Sequence, residues 1–206
     1  MKKSLLIASL ALLHYGLAAQ SKLTLESYHY RDGGTSTVMP VIQMETNNRW
    51  HAEVRYNYDA HQTLSVYAGR TIERGREIMY SITPMLGYSA GKFNGPSVAV
   101  NAEATWNNIF LYSQTQYNLS AQARSQSFFY TWSEAGYDIS ERFFTGVTLQ
   151  YTLASGERLI EPGIMGGLSF NNVSLTCYLF KPAAEDRYII LGLNYELSFK
   201  IKNKHR

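Results

Sequence analysis

Trp50-His51-Ala52-Glu53-Val54-Arg55-Tyr56-Asn57-Tyr58 places an apolar side chain at every even position and a polar one at every odd position. Successive side chains of a strand point to opposite faces, so this stretch has one greasy face and one wet face and belongs at the boundary between two phases. The same period of two returns in Ile78, Tyr80, Ile82, Pro84, Leu86 and Tyr88, opposed by Glu77, Met79, Ser81 and Thr83. It returns in Val98, Val100, Ala102, Ala104 and Trp106, opposed by Asn101, Glu103 and Thr105. The cleanest case is the last, with Ile189, Leu191, Leu193, Tyr195, Leu197 and Phe199 on one face and Asn194, Glu196 and Ser198 on the other. No window sustains a helical stripe through these segments, and Gly, Asn and Asp interrupt them at short intervals.

Strands are expected at 22–30, 36–46, 49–58, 63–73, 77–89, 96–106, 109–118, 126–137, 143–152, 159–170, 173–181 and 187–199. Each is close to the ~9–11 residues that a tilted strand needs to cross a bilayer. Asn-Asn occurs at 47–48, 107–108 and 171–172, in three even-numbered connections, which share one rim in an up-and-down barrel. Asn tolerates the positive φ of tight hairpins, and short turns mark the periplasmic rim. The spacing therefore predicts an all-β, antiparallel, up-and-down transmembrane β-barrel of about twelve strands. Ten is the alternative, because the first two strands and the fourth alternate poorly and Arg70 falls on the apolar parity. Pro40, Pro84 and Pro162 lie inside strands and imply local bulges. Aromatics gather at strand ends as two membrane girdles: Trp50, Trp106, Tyr137, Phe143, Phe170 and Phe199 at one rim, and Tyr58, Tyr88, Tyr117 and Tyr151 at the other.

The chain has 206 residues, 45% hydrophobic, 14% aromatic and 17% charged, with a mean hydropathy of -0.23. Residues 1–20 read as a signal peptide: Met1-Lys2-Lys3, an apolar run from Leu5 to Leu13, then small residues at 18–19. The barrel occupies 21–199, and a basic tail follows at 200–206. Of the 19 Lys and Arg, six lie in the leader and tail, so 13 face 16 Asp and Glu in the barrel. No basic face remains for nucleic acid. The single Cys177 offers no disulfide or zinc framework, and no cofactor is expected.

Gly192-Leu193-Asn194-Tyr195-Glu196-Leu197-Ser198-Phe199 resembles the C-terminal assembly signal of bacterial outer-membrane β-barrels. With the leader and the Asn-rich turns, the mature chain resembles small outer-membrane barrels of the Bacteroidota kind. That resemblance implies export, residence in the outer membrane of a Gram-negative bacterium, and outer-membrane lipid and the barrel-assembly machinery as partners. It implies no catalytic motif and no oligomeric state.

On the polar parity lie Glu26, Glu45, Glu53, Glu77, Glu103, Glu134, Glu161 and Glu196, with Arg49, Arg55 and Arg142. This is an acidic lumen lining, expected to be periplasmic except at Glu26 and Glu161. A water-filled lumen of this kind favours cations. The preferred reading is a filled one, in which the arginines pair with the carboxylates beside Tyr112, Gln114, Gln116, Tyr178 and Phe180. The expected function is a passive or structural outer-membrane protein or a narrow cation-preferring channel. One alternative is a lipid-modifying hydrolase using His29 or His61 near the outer rim. The other is an exported soluble barrel with Val100 and Leu191 turned inward around an apolar ligand. No enzyme activity is assigned.

Overall fold

The computed structural model describes residues 21–32 and 35–199; the expected signal peptide at 1–20 and the basic stretch at 200–206 lie outside the described residues. The strands are β1 (Ser21–Asp32), β2 (Thr35–Thr46), β3 (Trp50–Tyr56), β4 (Thr63–Arg70), β5 (Ile72–Gly75), β6 (Met79–Gly91) and β7 (Gly95–Trp106). They continue as β8 (Ile109–Asn118), β9 (Phe128–Asp138), β10 (Phe143–Ala154), β11 (Glu157–Phe170), β12 (Val173–Phe180) and β13 (Tyr188–Phe199). Each pairs antiparallel with its sequence neighbour, and β1 closes the cylinder against β13 from Ser21 opposite Phe199 to Arg31 opposite Ile189. β4 and β5 both pair with β6 and form one stave, so the barrel is a closed cylinder of twelve. Their interruption at Thr71 lies opposite Thr83 and Pro84, and proline has no N–H to give the ladder. Pro40, Pro84 and Pro162 are all exposed within strands.

Closure leaves the cylinder no free edge except where β5 runs past β3 at one rim, and the period-two alternation then sorts side chains into inside and outside. Val54, Val66, Val98, Val100, Leu191 and Leu193 are exposed on the outer wall, and Leu86 reaches 72% exposure. Glu53, Arg55, Tyr67, Gln116, Trp132 and Tyr178 are buried within. Apolar outside and polar inside reverses the rule for a protein in water and suits a hydrocarbon solvent. Val100 and Leu191 point the opposite way from what a soluble ligand-carrying barrel requires.

Connections 47–49, 76–78, 107–108, 139–142 and 171–172 lie at the rim that holds Ser21 and Phe199. Asn107 and Asn171 take φ of 51° and 50°, as tight turns demand, while in the first of these turns it is Arg49 that does so, at 65°. Longer connections at 57–62, 119–127 and 181–187 lie at the opposite rim. Inside, three rings lie across glycines on the paired strand: Tyr67 on Gly87, Phe110 on Gly136 and Phe144 on Gly167. A Cβ at these glycines would fall 2.1–2.3 Å from the ring. The missing side chain makes room for the ring, a known device for strand glycines.

Candidate functional site: the lumen

His51, Glu53 and Arg55 alternate along β3 and so share its inner face. Glu53 and Arg55 are each 1% exposed at mid-barrel, where an ion survives only if paired and fully hydrogen-bonded. Glu53 receives Arg55 Nε at 2.7 Å and Arg55 Nη2, and Asn101 Nδ2 at 2.7 Å; His51 Nε2 also lies 2.7 Å away. Arg55 Nη1 donates to Gln116 Oε1 at 2.7 Å and to Asp59 Oδ1 at 3.3 Å. Its guanidinium lies over the rings of Tyr67 and Tyr58, at 4.3 and 5.4 Å. Asp59 also receives Gln116 Nε2 at 2.8 Å and the Tyr67 hydroxyl at 3.0 Å.

The facing wall is aromatic. Trp132, Met165, Tyr178, Phe180, Tyr188 and Ile190 form one buried cluster, with Trp132 edge-on to Tyr178 at 5.1 Å and Phe180 stacked on Tyr188 at 5.0 Å. Tyr28 joins the two walls, 5.8 Å from Tyr58 and 5.6 Å from Trp132 between ring centres. A continuous line of contacts, Arg55–Tyr58–Tyr28–Trp132–Tyr178, therefore crosses the lumen and forms a waist.

On the side of the short turns, two adjoining cavities of about 320 and 240 Å³ open below the waist and share Glu26, Glu103 and Tyr112. The first also carries Glu134 and Asp138 and no basic residue. The second also carries Glu45, Glu73 and His51, with Lys22 and Arg49. Arg49 is engaged by Glu45 and Glu73, and Lys22 bonds Glu196 at 2.9 Å. On the other side of the waist Lys181 bridges Asp186 and Glu161, the latter at 3.5 Å, and lies over the Tyr188 ring. The hydrogen bond with Asp186 holds the Lys181 ammonium above its usual range and the Asp186 carboxyl below its own.

Of the expected lining, Glu26, Glu45, Glu53, Glu103, Glu134, Glu161 and Glu196 face inward, as do Arg55 and the side chain of Arg49. Glu26 differs in depth: it accepts Tyr28 O–H at 3.0 Å and lines the vestibule on the turn side, because β1 runs below the waist at that point. Glu77 is not in the lumen; β6 begins at Met79, so Glu77 is left exposed in the turn and Glu73 takes the inward position. Arg142 is also outside, in the 139–142 turn, 5.5 Å over the exposed Phe170 ring. Tyr58 leaves the girdle. β3 ends at Tyr56, Asn57 turns to a φ of 57°, and the chain folds Tyr58 and Asp59 inward. Tyr56, 42% exposed, stands on the outer wall in its place. Parity gives Asp59 no place in the lumen, because it follows the end of the alternating stretch.

His29 is exposed on the outer wall, its Nε2 3.2 Å from Ser27 Oγ, and His61 is exposed in the 57–62 loop. No carboxylate among the described side chains is hydrogen-bonded to His29, and no group of three or more potential metal ligands occurs among the described residues.

No family model matches this sequence, and no curated protein matches it. Solved structures do. A KdgM porin in complex with disordered oligogalacturonate superposes with a TM-score of 0.64 at 13% identity, covering 86% of this chain and 99% of that one. A NanC porin superposes with a TM-score of 0.58 at 8% identity, covering 87% of this chain and 100% of that one. The chain has the fold of outer-membrane porins. At these identities the likeness extends to the fold alone.

Proposed function

We propose that the protein is an outer-membrane barrel of porin type, closed at its waist in this conformation, whose passage favours cations when the waist parts. The observation that carries this reading is the contact line from Arg55 through Tyr58 and Tyr28 to Trp132. Arg55 on one wall and Trp132 and Tyr178 on the other are buried, with the partly buried Tyr58 and Tyr28 between them. The vestibule on the turn side supplies the charge preference: Glu26, Glu103, Glu134 and Asp138 line a cavity without a basic residue, and low-dielectric walls focus their field. The leader at 1–20 and the C-terminal strand support export and assembly into the outer membrane of a Gram-negative bacterium, with the short turns on the periplasmic side.

Planar-bilayer recording tests both halves of the proposal. The unmodified barrel is expected to be nearly silent. Tyr28→Ala with Trp132→Ala opens a conductance that prefers cations, and adding Glu103→Gln and Glu134→Gln weakens that preference. A large conductance from the unmodified protein, or an anion preference in the opened variant, contradicts the proposal.

A further inference from the structure

Arg70, Ile72 and Arg74 form an outward row on the stave made by β4 and β5, with inward Thr71 and Glu73 between them. Arg31 and Arg158 stand outward near the opposite rim, whereas Arg70 and Arg74 stand together on one stave near the rim of the short turns, and the lumen gives them no role. Arg70 is opposite Trp50, the first residue of β3, so β5 continues past the end of β3 and has β6 on one side only. This leaves a notch at the periplasmic rim, between the 47–49 turn and the β5–β6 hairpin. Arg49, Arg70, Thr71, Ile72, Glu73, Arg74 and Pro84 line it, around a volume of about 490 Å³.

The notch is built for an anion attached to something apolar. Thr71 donates its N–H to the Arg49 carbonyl at 2.8 Å, and strand alternation turns the N–H of Glu73 to the same open edge. Arg74 Nη1 donates to the Glu73 carbonyl at 3.1 Å, which holds its guanidinium over that edge. Glu73 also lines the notch, but its carboxylate is held by Arg49, and no ion pair among the described residues joins it to Arg70 or Arg74. Guanidinium forks match phosphate oxygens in pairs. Trp50, Ile72, Tyr80 and Ile82 are exposed beside the notch and offer an apolar bed for an acyl chain. Trp50 belongs to the interfacial girdle, so the notch stands at headgroup depth.

The geometry points to a binding site for an anionic phospholipid of the periplasmic leaflet, its phosphate between Arg70 and Arg74 and its chain along Ile72 and Ile82. Native mass spectrometry of the folded full chain, released from micelles doped with phosphatidylglycerol or phosphatidylcholine, tests the site. The unmodified barrel is expected to retain phosphatidylglycerol in preference to phosphatidylcholine. Arg70→Gln with Arg74→Gln lowers that retention about tenfold, the size of a lost charge-assisted contact. Arg158→Gln at the other rim leaves it unchanged. Ile72→Asn weakens phosphatidylglycerol retention, while soluble glycerol 3-phosphate at equal concentration fails to displace the lipid. Heat-modifiable gel migration confirms that each variant is folded. Equal retention of the two lipids, retention unaffected by the double arginine change, or displacement by glycerol 3-phosphate overturns the assignment.

Discussion

At the scale of single residues, the central fact is that Arg55 and Glu53 are ionic and fully enclosed. Their environment compensates them completely: Gln116, Asp59, Asn101 and His51 satisfy the remaining donors and acceptors. Removing one member strands the other. Arg55→Ala is therefore expected to cost ~3–5 kcal/mol, as for other broken buried pairs. Glu53→Gln with Arg55→Met is expected to recover much of that loss. Urea titration of the barrel in lipid vesicles measures both, and a double variant as unstable as Arg55→Ala would refute the explanation. The members of this network on β3 were legible in the sequence, because strict alternation assigns His51, Glu53 and Arg55 to one face. Gln116 was legible as a lumen residue too, but its pairing with Arg55 was not. Gln116 is 61 residues from Arg55, and which side chains meet across a lumen depends on the stagger of the closed sheet.

Individual strands were read more completely than the ends that join them. Ile189 to Phe199 alternates without a break, and the observed β13 follows it. Tyr58, Glu77 and Arg142 were misplaced for one shared reason: each lies just past a strand end, where backbone turns such as the φ of 57° at Asn57 cancel parity. The interruption at Thr71 was similarly hidden, since Pro84 signals a weak ladder without saying which neighbour yields. Cross-strand packing at this scale gives a separate test. Gly87→Ala sets a methyl 2.3 Å from Tyr67 Cδ1 and is expected to destabilise by ~1–3 kcal/mol through overpacking. On a Tyr67→Ala background the cost should fall, as for coupled neighbours, but not vanish, because the Val66 carbonyl oxygen also stands 2.8 Å from the new methyl. An equal cost on both backgrounds would mean that the ring is not what the glycine accommodates.

The whole molecule is a cylinder with its solvents exchanged: hydrocarbon-compatible surface outside, an ionic network and an aromatic cluster inside. Architecture was legible because closure, strand length and alternation all follow from crossing a bilayer with every backbone group paired. A filled lumen was the preferred reading of the inner parity, but the particular waist was not legible, since it arises from contacts among β1, β3, β9 and β12 that no local pattern encodes. Everything at this scale rests on the direction of the apolar face. Spin labels at single cysteines read that direction, in a Cys177→Ser background reconstituted into liposomes. Labels at Val98 and Val100 are expected to collide with dissolved oxygen and to be shielded from a water-soluble nickel complex, with the order reversed at Glu103 in the vestibule. Nickel access at 98 and 100, with oxygen enrichment at 103, would contradict the account.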